Sequence, residues 1–153
     1  METLRITKAD LNERNEYTRS RDLEFDGHIE VEASLGRVIV LGFIRAVGRL
    51  GIKAGSGIEA GSGIEAGEGI KAGSGIEAGE GIQAGEGIEA GEGIQAGWGI
   101  QAGEGIEAGL RIFAGLCIWK IPNKKEMTIT AKTIEGTVAY GEVHLLSATT
   151  ETK

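Results

Sequence analysis

Carboxylates stand in columns along this chain. Glu68, Glu86 and Glu104 are eighteen residues apart, as are Glu89 and Glu107, and Glu92 lies six beyond Glu86. Ten glutamates in all (Glu59, Glu65, Glu68, Glu77, Glu80, Glu86, Glu89, Glu92, Glu104 and Glu107) fall between Gly51 and Leu110, against two lysines, Lys53 and Lys71. That stretch has a net charge of −8, whereas the remaining residues carry thirteen acids against fourteen bases and sum to +1. Rows of carboxylates can attract a cationic surface over a distance. Acid–base or nucleophilic catalysis also needs a base or nucleophile within reach, and the sequence around the rows supplies neither. The two histidines, His28 and His144, lie outside the stretch in alternating, strand-like sequence. The single cysteine, Cys117, has no partner for an internal disulfide and reads as a small buried residue. No enzyme, cofactor or metal site is expected.

A six-residue repeat must position these carboxylates. Residues 51–122 read as twelve hexads of the form GIxAGx, opening GIKAGS, GIEAGS, GIEAGE and decaying to GIEAGL, RIFAGL and CIWKIP. Ile and Ala are two apart, so both point to one face of a strand while x points to the other. One hexad cannot bury its Ile alone, but coils stacked about 4.8 Å apart make a continuous Ile ladder with full backbone pairing. The expected fold class is all-β, a single-stranded parallel β-helix. Specifically, the repeat implies a right-handed β-solenoid whose triangular coils hold three hexads, about 18 residues each, in about four coils. Units of that length place Lys53 over Lys71, Ser56 over Ser74, and Glu68 under Glu86 and Glu104.

Twenty-one of the 27 glycines belong to the repeat. The glycine after Ala persists from Gly55 to Gly115, whereas the glycine before Ile gives way to Arg111 and Cys117. The first is therefore expected to need a positive φ and the second only to be small. Val38 and Ile44 extend the pattern upstream, with Val40 and Ala46 in the Ala position and a two-residue bulge expected at Arg49 and Leu50. Three regions follow: a strand-and-loop cap at 1–36, the solenoid at 37–122 and a β cap at 123–153. The polar start, and an apolar run RVIVLGFI well short of the roughly 20 residues of a membrane span, suggest a soluble, cytoplasmic protein with no membrane contact.

The phase of the repeat separates it from other six-residue and glycine-rich patterns. The left-handed β-helix acyltransferases point a small residue inward four positions after the aliphatic one. Here that position holds Glu68, Glu80, Glu86, Glu92 and Glu104, which cannot be stacked unpaired in a narrow core. Collagen is excluded by the 4-and-2 glycine spacing and calcium-binding nonapeptides by the absence of Asp from the repeat.

Two surfaces are candidates for binding. With coils of 18 residues, Glu68, Glu86 and Glu104 form a corner row, Glu89 and Glu107 lie on the adjoining side, and Glu92 follows at the next corner. Like charges about 4.8 Å apart repel by near 1 kcal/mol in water, so the rows either keep flat-sided coils soluble or serve a partner. Their density, about one charge per 2 Å of axis, approaches the one per about 1.7 Å of duplex DNA. This face suits a basic, nucleic-acid-binding enzyme and not DNA itself. The second surface is the last coil, where Phe113, Trp119, Leu110, Leu116 and Trp98 form an apolar cluster. It is expected to be covered by the segment from Asn123 onward, or to form an oligomer or partner interface anchored by Trp98.

Short strands coiled at about 18 residues per turn between non-repeating ends resemble bactofilins, the polymer-forming bacterial scaffold proteins, over roughly Arg37 to Pro122. That resemblance implies a self-assembling cytoskeletal scaffold. The GIxAG hexads with the exit RIFAGLCIW and the later EGTVAYG also look like small uncharacterised repeat proteins of bacteria and their phages. By analogy with small acidic phage proteins, the expected function is non-enzymatic binding of a protein partner through the acidic face. In that reading the chain is a nucleic-acid mimic inhibiting host defence, of the anti-CRISPR or anti-restriction type, with the scaffold as the alternative.

Overall fold

Alternation of Ile, an outward residue and Ala builds strands of three residues, because each Ala is followed by a glycine bend. A computed structural model describes residues 1–115 and 127–146. The strands before the regular repeat are β1 (Thr3–Ile6), β2 (Leu23–Phe25), β3 (His28–Val31), β4 (Gly36–Val40), β5 (Ile44–Ala46) and β6 (Leu50–Ile52). The repeat supplies β7 (Ser56–Ala60), β8 (Ile64–Ala66), β9 (Ile70–Ala72), β10 (Ile76–Ala78), β11 (Ile82–Ala84), β12 (Ile88–Ala90), β13 (Ile94–Ala96), β14 (Ile100–Ala102) and β15 (Gly105–Ala114). Three more follow, β16 (Thr128–Ala131), β17 (Thr133–Tyr140) and β18 (Glu142–Leu145).

All these strands pair in parallel, on three faces of one β-solenoid of about five turns. The acidic face stacks β1, β3, β6, β9, β12 and the first part of β15. The glutamine face stacks β2, β5, β8, β11, β14, β16 and β18. The third face stacks β4, β7, β10, β13 and the second part of β15, and β17 lies over both parts of that long strand. Parallel pairing thus runs past 37–122 in both directions, since β1–β3 and β16–β18 continue the same three stacks. Among the described residues no helix is long and apolar enough to cross a membrane.

The interior is the expected ladder. Ile58, Ile76, Ile94 and Ile112 stack on one face, Ile64, Ile82 and Ile100 on the next, and Ile70, Ile88 and Ile106 on the last, each essentially inaccessible to water. At roughly 1.5–3 kcal/mol for each fully buried Ile, this ladder is the main force holding the coils together.

Three expectations change on contact with the structure. Ile76 pairs with Ile94, eighteen residues on, as expected. Val38, however, pairs with Ile58, twenty on, and Ile29 with Leu50, twenty-one on. The two additional residues are not a bulge at Arg49 and Leu50. Leu50 takes the Ile position beneath Ile70 and Ile52 the Ala position beneath Ala72, so the first hexad is out of phase and Gly51, not Lys53, lies beside Lys71. The excess falls at Ala54 and Gly55, where Gly55 has φ +74 and the Ser34 bend one coil away has φ +61. Fully buried Ser56 closes this wider turn. Its hydroxyl donates to the Glu32 carbonyl at 2.7 Å and accepts from the Leu35 amide at 2.9 Å.

The glycine after Ala is indispensable for a different reason than a positive φ. Within that column only Gly55 and Gly115 have one. At Gly61, Gly67, Gly79, Gly85, Gly97 and Gly103 a Cβ would collide with the backbone carbonyl of the preceding coil. Before Ile, a Cβ at Gly63, Gly75 or Gly87 would lie 3.2–3.4 Å from the nearest carbonyl, a tight but yielding contact, so Arg111 is accommodated. Strand spacing dictates the first column, and the second is only favoured to be small.

Candidate functional site: the acidic face and its two edges

Each bend carries one residue whose side chain must point outward, because the Ile and Ala on either side occupy the core. At the bend between the glutamine and acidic faces the amides form a ladder. Glu68 N donates to Gly48 O, Glu86 N to Glu68 O, and Glu104 N to Glu86 O, at 3.1–3.2 Å. Glu68, Glu86 and Glu104 therefore stand in one column. Mid-face, Lys71 pairs with Glu89 and Glu89 with Glu107. At the far edge Glu92 N donates to Ser74 O, and Leu110 N to Glu92 O. Six of the seven expected binding residues thus lie on one face and its two edges. Between the columns, Gly69, Gly87 and Gly105 form a side-chain-free groove floor.

Trp98 does not join them. It stands above Glu80 on the edge opposite the acidic face, 37% exposed, with its carbonyl accepting from Gly115 N at 2.8 Å. Of the expected apolar cluster, Phe113 lies in β15 between Gln95 and Tyr140, so β17 does cover part of the coil. Leu110 remains 63% exposed. Leu116, Cys117 and Trp119 fall outside the described residues.

Electrostatics divide the columns along the axis rather than only between faces. Arg37 reaches Glu59 and Glu77 at 3.0 and 3.4 Å, Arg45 reaches Glu24 and Glu65 at 3.6 and 3.9 Å, and Arg49 reaches Glu68 at 3.3 Å. Lys71 meets Glu89 at 2.8 Å, and that hydrogen bond and charge, with Glu107 nearby, hold the lysine above its usual pKa. Lys53 bonds Glu30 at 2.8 Å, and with Arg5 it holds that carboxyl below its usual pKa against the opposing effect of desolvation. Half of the ten repeat glutamates are compensated in this way. Glu80, Glu86, Glu92, Glu104 and Glu107 make no ion pair among the described residues. These exposed pairs add little stability each, ~0–1 kcal/mol. What they alter is the field, which is nearly neutral toward the amino-terminal end and acidic over the later coils.

The arginines are the part that sequence reasoning missed. Arg45 sits in the outward column next to Glu65, twenty residues away, and an eighteen-residue unit hides that alignment. Among the described residues no group of three or more His, Cys, Asp or Glu is placed to hold a metal ion. The fold and this surface define a parallel β-solenoid with an axially graded acidic face. Among known proteins, no family model, curated sequence or solved structure matches the chain. These comparisons lend no support to the resemblance to bactofilins or to phage repeat proteins, and what stands is the parallel β-solenoid itself.

Proposed function

We propose that the protein is a non-enzymatic binding module whose acidic face docks a basic protein surface, with Glu86, Glu104 and Glu107 at the centre and Glu89 and Glu92 at the margins. The observation that carries this reading is the column of carboxylates at strand spacing, in which, among the described residues, Glu68 pairs with Arg49 while Glu86 and Glu104 of the later coils make no ion pair. Such spacing costs repulsion of about 1 kcal/mol per neighbouring pair before screening, which a cationic partner would relieve. A surface of this kind fits a groove built to hold a nucleic-acid backbone, so the partner class is a basic nucleic-acid-handling enzyme and the activity is competition with its substrate. Inhibition of a defence nuclease of a CRISPR or restriction system is the form of that activity we favour. The alternative, a scaffold extended end to end, needs two docking ends, and the buried apolar residues of the amino-terminal end give it less support.

The test is competition between the full chain and duplex DNA for a basic nuclease domain across a salt series. Binding should weaken steeply between about 50 and 200 mM salt, as ion release requires. The variant E86Q/E104Q/E107Q should lose it. Equal competition by the variant would defeat the reading.

A further inference from the structure

The two ends of the solenoid are finished differently. At the amino-terminal end the inward residues of the outermost strands are buried or half-buried, and residues 15–17 pair along β4 although β1 and β2 pair on one side only. Ile6 and Leu23 are buried, buried Tyr17 donates its amide to Ile39 O, and the Asn15 carbonyl accepts from Ile39 N along the outer edge of β4. At the carboxy-terminal end the inward column of the described residues ends on exposed side chains. Val143 stacks on Ile129 and Leu145 on Ala131, which are both buried, yet Val143 is 43% and Leu145 64% exposed. Among the described residues β18 pairs only with β16, and no strand of them lies along its outer edge, which runs beside two core-position side chains. An apolar strand edge of this kind is a template for another strand.

We infer that this end docks the same end of a second copy, through antiparallel pairing of β18 with β18 about a two-fold axis normal to the glutamine face. Three features single out a second copy. A two-fold in that direction reverses the strand and keeps the three-sided outline, so the first part of β17 meets the second part of its counterpart. Inward positions must face inward positions, which sets Val143 opposite Val143. In that register the outward residues, Glu142 and His144, meet crosswise, the glutamate of each copy opposite the histidine of the other. Within one copy these two side chains already approach to 3.5 Å, so the interface carries a four-membered row of alternating carboxylate and imidazole. Because each copy offers the same patch to the other, the contact is isologous and closes at two copies. It is separate from the acidic face and stands or falls independently of it.

Sedimentation equilibrium of the full chain decides the matter. The intact protein should show twice the 16.0 kDa of a single chain. L145K, which sets a lysine into the apolar column, should raise the dissociation constant at least about a hundredfold with an unchanged β spectrum. E142K should weaken the pair about tenfold by placing cation opposite imidazole, and the exchange E142K/H144E should restore it, because the row alternates again. A single-chain mass at every concentration, species growing beyond two copies, or failure of the exchange to restore what E142K loses would each overturn the inference.

Discussion

The first and last coils share one core and differ in nearly everything laid upon it. The early coils are wider, carry Arg37, Arg45 and Arg49 on their outer surface, and are covered by a segment locked through Asp10. The late coils keep the strict eighteen-residue turn, leave Glu86, Glu104 and Glu107 without an ion pair among the described residues, and carry exposed apolar residues. The contrast shows that the repeat specifies the scaffold while departures from it specify the surface. Each irregular feature, whether Ala54–Gly55, Arg111 or Phe113, occurs where the coil meets something other than another identical coil.

The largest test of that contrast is truncation of apolar side chains at the two ends. Leu23→Ala should cost about 2–5 kcal/mol of unfolding free energy, as burial there is complete, whereas Leu110→Ala should cost under about 1. Denaturant titration separates them, and equal losses would show the exposed leucine of the late coils to be as tightly packed as the buried one of the first.

Next in size is the glycine rule that both ends share. Gly61→Ala and Gly103→Ala should each destabilise by about 2 kcal/mol or more, because the added methyl meets a carbonyl that the strand ladder holds in place. Gly63→Ala and Gly87→Ala should cost less than about 1. If the two columns responded alike, close stacking would not be the reason for the glycines.

Acid should act on one end first. Burial opposes ionisation of Asp10, but hydrogen bonds from the Thr7 amide at 2.8 Å and from Arg19 and the Thr7 hydroxyl outweigh it, so its pKa lies below the usual 3.8. A depressed carboxylate contributes stability above its unfolded pKa and loses it as pH falls through the folded value. Amide protection factors, corrected for the intrinsic slowing of exchange in acid, should therefore fall in residues 7–18 as the pH drops below that of an ordinary carboxylate, before they fall in β11–β14. Asp10→Asn should abolish this pH dependence at a constant cost of about 1–3 kcal/mol.

The smallest effects have opposite signs. Glu68→Gln removes the partner of Arg49 and should lower stability slightly, while Glu86→Gln relieves repulsion from its neighbours and should raise it, each within about 0.5–1 kcal/mol at low salt. Both differences should shrink at high salt, and matching signs at low salt would show the column to be uniform after all.

The fold was legible because Ile, Ala and Gly repeat on a period that physical stacking explains. The column of Glu68, Glu86 and Glu104, and the alignment of Glu89 with Glu107, followed from the same period. What escaped was anything that depends on coils of other lengths. Reading Ile52 as the first core residue put Lys53 beside Lys71, since a regular hexad beginning at Gly51 gives no sign that Leu50 has taken the core position. With the early register wrong, the pairing of Arg45 with Glu65 could not be seen, and the carboxylates looked uncompensated throughout. The positive φ assigned to the glycines was a local explanation for what is a contact between coils, and sequence spacing alone does not distinguish the two.

The axial grading of the acidic face is tested most directly by NMR shift mapping of the full chain titrated with a deca-arginine peptide at low salt. Shifts should concentrate at Glu86, Glu92, Glu104, Glu107 and their groove glycines, be weak at Glu30 and Glu68, which early cations already pair, and be lost in E86Q/E104Q/E107Q. Shifts spread evenly over all ten glutamates, or unchanged in that variant, would contradict it.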